Sequence, residues 1–169
     1  MKNGKNGSNG SSGKNHKFAY INGVAHEIKS DHTSVLKFVK EHISEKEIPS
    51  LCDDPNLAPY GACRVCSVDV ALKKDGPTKT VASCHTPVTE ESYIITQNED
   101  LTKLRKNIVE LVLTDHPMTC STCEVNNNCE LQTVANDLNI NNHRYNKPKQ
   151  NKGTPKDTSH AYMRMNLDN

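Results

Sequence analysis

The sequence has no tryptophan and only two phenylalanines in 169 residues, and its hydrophobic fraction is 34%. So thin an apolar supply excludes a large hydrophobic core, and the fold then needs another source of stability, for which bound metal is the obvious candidate. No run approaches the roughly 18 consecutive apolar residues of a membrane span. No apolar stretch follows Lys2 and Lys5 either, so neither an anchor nor a signal peptide is expected and the expected location is cytoplasmic. Net charge is only +1, and no basic stripe interleaved with aromatic residues is present, which argues against nucleic acid as a partner.

What the chain does have is punctuation. Residues 1–15 are Gly, Asn, Ser and Lys with Met1 as the single apolar residue, the composition of a disordered tail. Phe18, Tyr20 and Ile21, then Asn22-Gly23, then the alternating Val24, His26 and Ile28 predict a β-hairpin with a type I′ turn. Thr33-Ser34 can cap a helix whose apolar positions are Val35, Leu36, Val39 and Ile43. Alternating segments near Ser67–Leu72, Thr80–Ser83 and Tyr93–Thr96 predict the remaining strands of a small mixed sheet. Asn98 is the expected N-cap of a helix running to about Asp115 with Leu101, Leu104, Ile108, Leu111 and Val112 as its apolar stripe. Pro117 disfavours helix at His116 and pushes that residue into the loop beyond. The expected class is therefore α+β: a β-grasp domain over 16–97, a cysteine-bearing segment over 98–140, and an extended arm over 141–169.

Seven cysteines are an odd number, and a reducing compartment favours metal ligation over disulfides. Cys52, Cys63, Cys66 and Cys84 follow a C-x10-C-x2-C-x17-C spacing. Four thiolates are what a [2Fe–2S] cluster requires, two per iron, and one tight loop can present the close Cys63/Cys66 pair. Gly61, just ahead of that pair, lets the backbone approach and aim N–H groups at the sulfurs. Pro49 and Pro59 stiffen the loop around the first ligand. The competing reading is an all-cysteine zinc site, but such sites often show two short C-x2-C pairs and here Cys52 and Cys84 stand alone.

His116, Cys120, Cys123 and Cys129 form a second set, H-x3-C-x2-C-x5-C. Three thiolates and an imidazole can hold a [4Fe–4S] cluster, and the neutral nitrogen would raise its potential relative to four thiolates. A zinc site of three cysteines and one histidine fits these spacings as well. Of the eight histidines only His116 lies in close register with three cysteines that lack a fourth partner, and the neighbouring four-cysteine set favours iron. His85, beside Cys84, is the competing histidine.

The stretches Gly61-Ala62-Cys63-Arg64-Val65-Cys66-Ser67-Val68-Asp69-Val70, His116-Pro117-Met118-Thr119-Cys120-Ser121-Thr122-Cys123 and Cys129-Glu130-Leu131-Gln132 resemble a known family. It is the N-terminal iron–sulfur segment shared by the large iron–sulfur subunit of respiratory complex I, NAD-linked formate dehydrogenases and multi-cluster [FeFe]-hydrogenases, and the resemblance covers roughly residues 17–165. It implies a ferredoxin-like β-grasp holding [2Fe–2S] on the four cysteines and a [4Fe–4S] cluster on the His116 set. It also implies partners: a catalytic subunit and one that handles NAD(H) or flavin. Members of the family continue into further cluster motifs and a molybdopterin or hydrogen-activating domain. The expected role here is a relay without a reaction of its own, since neither set offers an open metal position or a nucleophile–base pair. The alternatives are a zinc-stabilised interaction module, or the N-terminal part of a split or truncated formate dehydrogenase, which the Ala161–Asp168 stretch resembles.

Overall fold

The computed structural model describes residues 16–29, 33–142, 144–145 and 157–164. The expected tail over 1–15 and much of the arm over 141–169 lie outside the described residues.

Strands β1 (Phe18–Ile21) and β2 (Val24–Glu27) form the expected hairpin. Asn22 and Gly23 both take positive φ, 50° and 87°, the backbone of a type I′ turn that matches the twist of the flanking strands. Helix α1 (Val35–His42) starts where Ser34 Oγ accepts the Lys37 N–H at 3.3 Å, a cap that contributes about 1 kcal/mol. Its buried face is Val35, Leu36, Phe38 and Val39. Phe38 is an addition to the expected apolar positions, and Ile43, expected to be buried, is 45% exposed at the C-cap.

Strands β3 (Ser67–Ala71), β4 (Lys79–Ala82) and β5 (Tyr93–Ile95) complete one five-stranded sheet in the order β2-β1-β5-β3-β4. All neighbours are antiparallel except β1 and β5, which pair in parallel with Ile21 opposite Ile94. Tyr20 and Tyr93 stack across this parallel pair with ring centroids 4.4 Å apart. Ala19, Ile21, Val68 and Ile94 line the face that packs with α1 around Phe38. The first turn of α1 is tied to the β4–β5 loop, because the Val35 and Leu36 N–H groups donate to Thr86 and Ser83 carbonyls. These bonds satisfy helix-end donors and fix the loop that carries Cys84.

Helix α2 (Glu99–Asp115) begins at Asn98, as expected, and ends at an extended His116 with φ −89° and ψ 136°. Its buried stripe differs from the expected one. Leu101, Arg105, Val109, Glu110 and Leu113 are buried, whereas Leu104, Leu111 and Val112 are exposed. Two charged residues face inward because each finds partners there: Arg105 bonds backbone carbonyls, and Glu110 pairs with Arg144 at 2.6 Å. A third helix, α3 (Glu130–Asp137), follows a 3₁₀ turn at Cys120–Thr122, in a stretch whose sequence carries no clear helical period. Val134 and Ala135 of α3 join Val65, Val109 and Leu113 in a second small core, which links the cysteine loop to α2 and α3.

Candidate metal centre

The loop from Leu51 to Cys66 folds against the turn after β4, and this sets the first four cysteines in two neighbouring pairs, without three of them converging on a single point. Antiparallel pairing of β3 and β4 sets Ser67 opposite Ala82, so Cys66 and Cys84 flank the end of the ladder. Ser83 reinforces the approach: its Oγ donates to the Cys66 carbonyl at 2.7 Å. Cys66 and Cys84 are both buried, while Cys52 and Cys63 are half-buried. On the outer side Lys40 of α1 reaches Asp53 at 3.2 Å and steadies the loop beside Cys52.

All seven thiols are free, and the first four interact in two pairs, Cys52 with Cys63 and Cys66 with Cys84. Nearby backbone amides offset part of the cost of burying these sulfurs. The Cys63 N–H, then the Cys63 thiol and the Ala62 N–H, hold the Cys52 thiol below its ordinary value against the effect of burial. Burial raises the Cys63 thiol, with the amides of Val65 and Leu51 opposing it. Burial, followed by the nearby Cys66 and Cys52 sulfurs, pushes Cys84 up to about 12, while the Gly61 N–H acts in the opposite direction. A thiolate in so enclosed a place is costly unless a cation or a metal is bound beside it.

Gly61 makes this geometry available. It is buried at φ +70°, a conformation that strains residues bearing a Cβ, and it lies against the His85 and Ala82 Cβ atoms. Arg64, within the Cys63/Cys66 loop, is also left-handed at φ 62°, and its carbonyl accepts from the Ser67 N–H and Oγ. His85 is exposed and its Nδ1 lies 3.2 Å from the Pro59 carbonyl, so the competing histidine is engaged elsewhere.

The second set is arranged differently. His116 caps α2, Cys120 opens the 3₁₀ turn, Cys123 is exposed, and Cys129 precedes α3. Gln132 braces the loop between the last two cysteines: its Oε1 accepts the Asn127 N–H at 2.8 Å and its Nε2 donates to Asn126 at 3.0 Å. The structure places the four residues along one short segment but does not gather their side chains. Among the described residues no three His, Cys, Asp or Glu side chains converge on a point that could hold a single metal ion.

Residues 105–144, which contain all of the second set, match the NADH-ubiquinone oxidoreductase-G iron–sulfur binding region, a family that binds a 4Fe–4S cluster. Residues 105–144 are thus similar to an iron–sulfur binding region found in oxidoreductases. Within that class the chain is related to the G-type iron–sulfur proteins of NADH-quinone oxidoreductases, as the motif resemblance implied. It is 42% identical over 103 residues to the G-type NADH-quinone oxidoreductase protein of Buchnera aphidicola, a match covering 59% of this chain and 11% of that protein. It is 38% identical over 88 residues to the alpha component of the NADPH-Fe(3+) oxidoreductase of Geobacter sulfurreducens, covering 52% and 10%. The chain spans about a tenth of the length of these relatives. Its fold is similar to that of a chain in the crystal structure of an NAD+-reducing [NiFe]-hydrogenase in the H2-reduced state, with a TM-score of 0.67 and 22% identity, covering 86% of this chain and 57% of that one.

Sequence reasoning missed Arg105 and Gln132, whose side chains bond the backbone beside the two cysteine sets. A charged residue at the buried phase of an amphipathic helix is the signal that could have revealed Arg105. Gln132 follows Cys129 by one helical turn, which is where a side chain can reach back over the loop.

Proposed function

We propose that the chain is an electron-transfer module. It carries a [2Fe–2S] cluster on Cys52, Cys63, Cys66 and Cys84 and a [4Fe–4S] cluster on His116, Cys120, Cys123 and Cys129. The observation that carries this reading is the pairing of four neighbouring thiols, two buried and two half-buried, in a chain whose next segment matches an iron–sulfur region. A lone zinc ion needs all its donors around one point, whereas two pairs of sulfurs suit two irons. The sheet order, with its parallel β1–β5 pair and α1 across one face, supports a ferredoxin-like β-grasp. When bound, the clusters supply one-electron oxidation and reduction. The chain's own residues hold the sulfurs, exclude water around Cys66 and Cys84, and direct amides from Gly61 to Val65 at the negative charge.

Electrons would pass singly between a partner that handles NAD(H) or flavin and a catalytic subunit of a complex I-, hydrogenase- or formate dehydrogenase-like oxidoreductase. The names of the relatives support such an assembly. Among the described residues no helix is long and apolar enough to cross a membrane, and a cytoplasmic site belongs to the same proposal. The test is iron and acid-labile sulfide analysis of anaerobically purified chain, with roughly six of each expected when both clusters are full. A colourless protein carrying stoichiometric zinc would overturn the reading.

A further inference from the structure

Arg105 is buried, 4% exposed, in the middle of α2. Its Nη2 donates to the Ser67 carbonyl at 2.6 Å and to the Thr96 carbonyl at 2.8 Å. Its Nε is enclosed without a hydrogen-bond partner, and among the described residues no carboxylate forms an ion pair with it. Cys66, Glu47 and Asp69 all lie near enough to favour its charge. Burial works against the guanidinium, yet an arginine remains charged in proteins. A buried cation whose hydrogen bonds go to neutral carbonyls is expensive, so the fold retains it at a cost that further negative charge nearby would offset.

That charge is available one residue away. Ser67, whose carbonyl Arg105 grips, follows Cys66 directly, and Cys66 is paired with Cys84. We infer that Arg105 is the built-in counterion of the four-cysteine centre, its guanidinium fixed beside Cys66 to offset the negative charge of a cluster held there. This rests on the proposal that those cysteines bind [2Fe–2S]. One-electron reduction adds negative charge to such a cluster, and a fixed cation stabilises the reduced form more than the oxidised one. Arg105 therefore raises the reduction potential without touching the iron, as a positioning and electrostatic residue.

The experiment compares the full chain with Arg105→Gln, which keeps hydrogen-bond donors without charge, and Arg105→Lys, which keeps the charge without the planar fork. Potentials of the [2Fe–2S] signal come from EPR-monitored redox titration, and thermal unfolding is followed in parallel. The glutamine variant should show a lower potential, with the lysine variant close to the parent even if both melt earlier. Loss of the [2Fe–2S] signal in the glutamine variant alone, with circular dichroism unchanged, supports the same role. Equal potentials in all three proteins, or collapse of the fold in both variants, would make Arg105 a structural strut and overturn the inference. Absence of a [2Fe–2S] signal in the parent would remove the anion itself and overturn the site assignment along with it.

Discussion

Asn98 fastens the second helix to the sheet through Asp69: its Nδ2 donates to Asp69 Oδ2 at 2.8 Å, while its Oδ1 accepts the Leu101 N–H at 2.7 Å. One side chain thus caps α2 and sets the helix against β3, the strand that leaves Cys66. Asn98→Ala removes both bonds. The cap contributes about 1 kcal/mol and the bond to a carboxylate about another, so a loss of roughly 1–2 kcal/mol is expected. Asn98→Ser should recover about half by keeping the cap. Urea unfolding of the two variants measures this: equal losses would mean that the cap contributes nothing, and a serine variant as stable as the parent would mean that the Asp69 contact contributes nothing.

Stability should also respond to His26. Its Nε2 is enclosed without a partner, and its ring lies edge-on to Phe38 and 5.1 Å from His42. Burial, then the neighbouring His42, lowers its pKa below the ordinary 6.5. The folded state therefore binds its proton less readily than the unfolded chain. The associated stability is complete above about pH 6.5 and declines as the pH falls from there toward the folded pKa. Melting temperatures between pH 7.5 and 5 should fall on acidification, and His26→Phe should flatten that dependence. An identical slope in the variant would place the effect elsewhere.

At the second centre, His116→Cys should retain a [4Fe–4S] cluster at a lower potential, since a thiolate replaces a neutral imidazole. His116→Ala should leave that cluster labile and the [2Fe–2S] signal intact. An EPR-monitored titration that does not move in the cysteine variant would argue that His116 is not a ligand.

Local signals carry much of the architecture. The Asn22-Gly23 turn, the Ser34 and Asn98 caps and the stop at His116-Pro117 each depend on neighbours within a few residues, and each stands in the structure where the chain's chemistry puts it. The phase of α2 does not follow from hydrophobicity. Arg105 and Glu110 take inward positions because of Ser67, Thr96 and Arg144, residues that no helical period can reveal. Helix α3 is hidden in the sequence because it is eight residues long, with only Val134 and Ala135 buried, too short a stretch for periodicity to declare itself. The grouping of Cys52, Cys63, Cys66 and Cys84 is an expectation from spacing and resemblance, and the structure shows them as two neighbouring pairs. The loop between them turns through left-handed backbone at Gly61 and Arg64, of which only the glycine is visible in sequence.

The parallel pairing of β1 with β5 also governs the order in which the chain can be assembled. Asn22 and Thr96, 74 positions apart, clasp one another through a side-chain bond of 2.8 Å and a return bond from the Thr96 amide at 3.0 Å. During synthesis the first hairpin leaves the ribosome with one strand edge unpaired, and its partner arrives only after all four cysteines of the first centre have emerged. Closing so distant a contact is slow. The loop that carries the four cysteines therefore gains its framing sheet only after translation has passed β5.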